Sequence, residues 1–192
     1  MRAYFPAMLA LILAGCASRD LWPVERVDPD TAVHLTIMAE PWIYALDDRR
    51  QAANASQFLT VTLVETNRTG TRGYWLNAVS SNTGMRGNDA GHATHRPIQV
   101  NLGWPTKQLQ LASDADGRRA AGISEPAISV QGARIAEAWC PLSPAQAAEF
   151  RAGAPTAVSL VDEGAQVQAY VPWEVEDAAI SEFLKATGAG TN

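Results

Sequence analysis

Apolar and polar residues alternate with a period of two through much of this chain. Val33, Leu35 and Ile37 share one face, and His34, Thr36 and Met38 the other. Leu59, Val61 and Leu63 alternate with Thr60 and Thr62, and Tyr74, Leu76 and Ala78 follow. Ile98, Val100 and Leu102 alternate with Gln99 and Asn101, and Leu109 and Leu111 with Gln108 and Gln110. Ile128 with Val130, Val158 with Leu160, and Val167, Ala169 and Val171 complete the set. Period-two patterning rich in β-branched residues and bounded by Gly, Asn and Asp predicts strands. Thr69-Gly70 and Glu163-Gly164 sit where hairpin turns belong. About eight short antiparallel strands with half-buried faces must close their apolar sides on one another. A mainly β fold follows, an antiparallel two-sheet sandwich or, alternatively, a small barrel.

Two short helices interrupt this pattern. Ser143-Pro144-Ala145-Gln146 is a capping box with Pro in the first helical position, and Gly153 stops that helix. Val175, Ala179, Phe183 and Leu184 recur at helical spacing between Glu174 and Thr187, with Gly188 as the stop. A third helix is expected over Asp47–Ala55. Ser80–His95 and Asp114–Glu125 lack periodicity and read as long surface loops.

The N-terminus follows different rules. One positive charge, Arg2, precedes the apolar run Ala7–Leu13, which is far short of the ~20 residues of a membrane-spanning helix. A basic end, a short apolar core and then small residues form a secretory signal. The run ends in Leu13-Ala14-Gly15-Cys16, which resembles the lipobox of bacterial lipoproteins. The resemblance implies cleavage between Gly15 and Cys16, diacylglycerol on the Cys16 thiol and acylation of the new amine. Several acyl chains give durable attachment where one does not. In that family Asp after the cysteine accompanies inner-membrane retention. Here the position is Ala17, so the expected location is the outer membrane, facing the periplasm.

Three segments follow: a signal over 1–15, a lipidated tether over 16–31 broken by Pro23 and Pro29, and a single β-rich domain over 32–192. The 192 residues less the fifteen of the signal leave 177, enough for one domain. Fully extended, the tether reaches at most ~50 Å at ~3.3 Å per residue. The mature domain carries no family motif that we recognise. Its opening strand (Val33–Ala39), polar segment and second alternating strand are similar in pattern to the small β-sandwich lipoproteins of type VI secretion machines.

Composition narrows the function. A formal charge of −5 argues against nucleic acid, which selects basic patches. Of the two cysteines, Cys16 is assigned to lipid, so Cys140, between Trp139 and Pro141, is expected as a buried, inert thiol. Asp89, His92 and His95 are the nearest approach to a metal-ligand set. With three histidines in the chain and no fourth ligand marked, the expectation is a solvated loop, no metal and no cofactor. No Gly-x-Ser-x-Gly elbow and no glycine-rich phosphate loop is present. Glu174, Glu176 and Asp177 flank the first turn of the last helix, where they complement its dipole. Of the six tryptophans, most are expected in the core. The exceptions are Trp22, in the tether, and Trp42 and Trp104, which stand beside Pro41 and Pro105 at strand ends and are expected to form a binding rim. The chain thus reads as a non-enzymatic envelope protein that binds another protein as an accessory, inhibitor or immunity factor. The alternative is an enzyme or binder acting on the cell wall or on carbohydrate through its polar loops.

Overall fold

A computed structural model describes residues 21–47, 57–83 and 96–189. The lipobox, most of the expected Asp47–Ala55 helix and most of the Ser80–His95 loop lie outside the described residues. The strands are β1 (Val24–Val27), β2 (His34–Ile37), β3 (Trp42–Leu46), β4 (Gln57–Arg68), β5 (Thr71–Asn82), β6 (Pro97–Trp104), β7 (Lys107–Ala112), β8 (Ala133–Leu142), β9 (Ala157–Asp162) and β10 (Val167–Glu174). The helices are α1 (Gly117–Ala120), α2 (Pro144–Ala148), which runs into a 3-10 turn over Glu149–Ala152, and α3 (Asp177–Thr187).

The molecule is built outward from the β4–β5 hairpin. Its turn is set by Thr69 and Gly70, both at positive φ (50° and 91°), the type I′ geometry that matches the twist of the flanking strands. The register runs unbroken from Gln57↔Asn82 to Arg68↔Thr71. The other edge of β4 is shared: β3 pairs with its first half (Trp42↔Val61) and β2 with its second (Ile37↔Val64). From β3 the sheet continues through β10, β9, β6 and β7, and β5 pairs outward with β8. All these pairings are antiparallel, and the sheet curls into a half-barrel.

Alternation in β4 separates two cores. Leu59, Val61 and Leu63 face the inside of the curl, with Trp42, Tyr44, Leu76, Leu102 and Tyr170, and meet Phe150, Ile180 and Phe183 from the helical segments. Val64 faces outward, where Val33, Leu35, Ile37 and Trp139 pack under Ala121, Ile123 and Ala127 of the 113–132 excursion. That excursion is pinned by Asp28, which is 1 % exposed. Its carboxylate accepts hydrogen bonds from the Ser124 amide (2.7 Å) and hydroxyl (2.9 Å) and from the Thr31 amide (3.1 Å) and hydroxyl (3.0 Å). Burial alone would raise its pKa, but the bonds from Ser124 and Thr31 outweigh that and hold it well below the carboxylate range.

The capping box forms as expected: the Ser143 hydroxyl accepts from the Gln146 amide and the Gln146 side chain from the Ser143 amide. Gly153 and Gly188, at φ 86° and 66°, end their helices. Four expectations need correction. Asp114–Glu125, expected as a surface loop, carries α1 and buries Ala121 and Ile123 in the outer core. The 16–31 tether contains β1, paired with β2 from Val24↔Ile37 to Val27↔His34. Pro23 and Pro29 flank this strand and so cost it no ladder hydrogen bond. Ile128–Val130 is not a strand; the strand of that region is β8. In β10, Val167 (64 % exposed) and Val171 (42 %) face outward, whereas Tyr170 (1 %) faces the core. Period two separates two faces but does not say which one is inside.

Candidate functional site

Of the residues singled out in the sequence, Gly15, Cys16, Asp89, His92 and His95 lie outside the described residues. Trp42 and Trp104 are described, and they form no rim: they are 0 % and 7 % exposed. Each sits in inward register on its strand. The Trp42 indole stacks on Phe150 at 5.9 Å, and the Trp104 indole meets the same ring edge-on at 5.6 Å. Their N–H groups donate to the carbonyls of Glu176 (3.2 Å) and Gly153 (2.9 Å). The Lys107 ammonium lies 4.6 Å from the centre of the Trp104 ring. Cys140 is buried, and burial pushes its thiol up to about 12.

The neighbours of Trp42 do reach the surface. Pro41 and Ile43 line a groove of about 250 Å³ with Phe58, Thr60, Val130 and Trp173. Trp173 is 58 % exposed and stands edge-on to Phe58, ring centres 5.9 Å apart at 66°. Thr60 and Ser81 also line the groove. Pro41, Ile43 and Glu174 also border a second depression of about 370 Å³, which adds Glu40, Val175 and Glu176. An aromatic groove therefore opens into an acidic one.

Behind the groove the outward face of the sheet becomes polar and closed. The Glu137 carboxylate accepts from Asn77 Nδ2 (3.1 Å), Trp139 Nε1 (2.9 Å) and Arg134 Nη1 (2.8 Å). Arg134 also donates to the Ile128 carbonyl (3.3 Å), which ties the excursion to β8. Glu137 is thus a strut held by three hydrogen bonds. At the other end of the sheet Glu65 is 5 % exposed and pairs with Arg72 Nε at 3.3 Å. Burial raises its pKa, and Arg72 offsets part of the rise. Among the described residues no group of three or more His, Cys, Asp and Glu side chains is arranged to hold a metal ion.

No protein-family model, curated protein or solved structure matches this chain.

The groove was missed in the sequence because Trp173 follows Pro172, past the clean alternation of β10, at a bulge between Pro172 and Glu174. Glu174 and Glu176 had a sufficient explanation in the dipole of the next helix. Trp42 pointed to the correct strand end but is one residue out of phase with the surface.

Proposed function

We propose that this protein is a non-enzymatic, protein-binding lipoprotein of the cell envelope, acting as an accessory, inhibitor or immunity factor. Cys16 carries the lipid, and the domain faces the periplasm from the outer membrane. The observation that carries the binding role is Trp173, exposed against Phe58 in a groove that continues into the Glu40, Glu174 and Glu176 depression. Exposed aromatic residues in apolar pockets dominate the energetics of protein interfaces. The acidic extension selects a partner whose apolar anchor is flanked by Lys or Arg and speeds encounter with it. The same proposal reads the half-barrel as the small-barrel alternative and not the sandwich, since all ten described strands join one hydrogen-bonded sheet.

The test is affinity capture from native envelopes, comparing the full chain with Trp173→Ala and with Glu174→Gln/Glu176→Gln. The aromatic substitution abolishes capture of the specific partner, and the charge substitutions weaken it in a salt-dependent way. Cys16→Ser moves the protein out of the membrane fraction. Equal capture by wild type and Trp173→Ala would overturn the binding role.

A further inference from the structure

The outward face of β7, β6, β9 and β10 bears three rows of side chains aligned by strand register. Gln110, Asn101, Ser159 and Ala169 form one row, and Ala112, Gln99, Val161 and Val167 form the next. Gln108, Gly103 and Ala157, with Val171 one step on in β10, form the third. None of these twelve positions is charged and none is buried, although 18 % of the chain is charged. Solvent-facing strand positions ordinarily carry charge, which keeps a sheet surface free of partners. Within this face lies a depression of about 380 Å³, within the ~300–1,000 Å³ range of ligand sites.

We infer that this face is a binding trough for a neutral, hydroxyl-rich chain, a glycan. Its two banks differ in chemistry. On the β7–β6 bank Gln108 and Gln110 stand exposed, and Gln99 Nε2 donates to Asn101 Oδ1. Asn101 Nδ2 in turn donates to Ser159 Oγ at 3.2 Å, which orients the amide and leaves the Ser159 proton to give. Each amide both donates and accepts, as the hydroxyls of a sugar do. On the β9–β10 bank Ala157, Ala169, Val167 and Val171 offer an aliphatic floor suited to the C–H face of a sugar ring. Asp47, held by its amide to the Ala169 carbonyl at 2.8 Å, borders the depression and adds a strong hydroxyl acceptor. Apart from Asp47 at the border, a charged occupant would lose its hydration without gaining a partner at any of the twelve positions. The trough is separate from the Trp173 groove, so each is tested without the other.

The experiment titrates the full-length chain, in mild detergent, with two neutral probes by calorimetry: a β-1,4-linked N-acetylglucosamine tetramer and cellotetraose. Saturable binding of at least one probe is expected, insensitive to salt. It weakens about five- to tenfold for each amide removed in Gln108→Ala and Gln110→Ala. Gly103→Leu, which fills the depression, removes it, and Trp173→Ala leaves it unchanged. Gly103 has ordinary extended backbone with only Ala157 nearby at 3.7 Å, and the two glutamine variants keep the test open if the leucine variant misfolds. Absence of saturation with both probes overturns the inference, as does equal binding by the glutamine variants. Self-association of the wild type that Gln108→Ala/Gln110→Ala abolishes would instead make the face a protein interface, and it too overturns the inference.

Discussion

Replacing Trp104 separates a structural indole from a binding one. Trp104 is the last residue of β6 and joins that strand to the helical segment: its ring meets Phe150 and its N–H reaches the Gly153 carbonyl. Removing a buried Trp side chain to Ala costs about 3–5 kcal/mol through lost transfer energy and the cavity left behind. The Gly153 carbonyl loses its buried partner as well, a penalty of about 1–3 kcal/mol. These overlap, since the cavity admits some water, so a total near 5 kcal/mol is expected. For a domain of this size each kcal/mol lowers Tm by about 2–4 °C, which puts the shift at about 10–20 °C. Trp104→Phe keeps most of the area and loses the N–H, so it falls near 1–2 kcal/mol. Urea unfolding followed by circular dichroism measures both, with an unchanged m-value as the check that the unfolded state is the same. Trp42→Ala tests the same cluster from β3. Because both indoles contact Phe150, the double substitution costs less than the two singles together. If Trp104→Ala lies within about 1 kcal/mol of wild type, the indole is not a core group and the inward register of β6 is wrong.

Two further outcomes follow from buried groups. Asp28 has a depressed folded-state pKa, so the stability it contributes is present above the ordinary carboxylate value of ~3.9 and is lost as pH falls below it. Asp28→Asn therefore lowers stability at neutral pH and flattens its decline in acid, read as unfolding midpoint against pH. Cys140, with its thiol pushed up to about 12, resists alkylation by iodoacetamide at pH 8 in the native protein and reacts in urea; rapid native labelling would refute its burial.

The sequence disclosed the fold where apolar and polar residues alternate or a turn or cap is marked, and concealed it where neither signal is present. The β4–β5 hairpin showed itself through Thr69-Gly70 and its alternating flanks, and α2 and α3 through their caps. In β8, Glu137 and Trp139 face the excursion while Ala138 and Cys140 face the core, so no amphipathic period survives. Pro141 also speaks against a strand, yet it is tolerated because β8 is an edge and needs no ladder bond there. β1 (Val-Glu-Arg-Val) and β3 (Trp-Ile-Tyr-Ala-Leu) carry no polar–apolar alternation for a period to register. The second hairpin formed where Glu163-Gly164 placed it, but Ala165 and not the glycine takes the positive φ, 57°. The groove depends on which face of β10 is outward, and that is decided by Tyr170, whose hydroxyl joins Gln57, Gln168 and Ser80 in a network at the inner end of the curl. Such tertiary contacts leave no trace in the local pattern.

The pairing of β1 with β2 changes the protein's working range. With Leu21 packed against the core and Val24 paired in the sheet, a lipid on Cys16 would stand only five residues from the folded body. Five residues span at most about 17 Å at ~3.3 Å per residue. A body of this length has a radius of gyration near ~15 Å and is thus ~40 Å wide. That reach is shorter than the body, so a domain anchored as proposed would pivot above one spot. Under the proposed anchoring a captured partner would have to come within roughly 57 Å of the bilayer, the sum of reach and body, so altitude would select it before chemistry does.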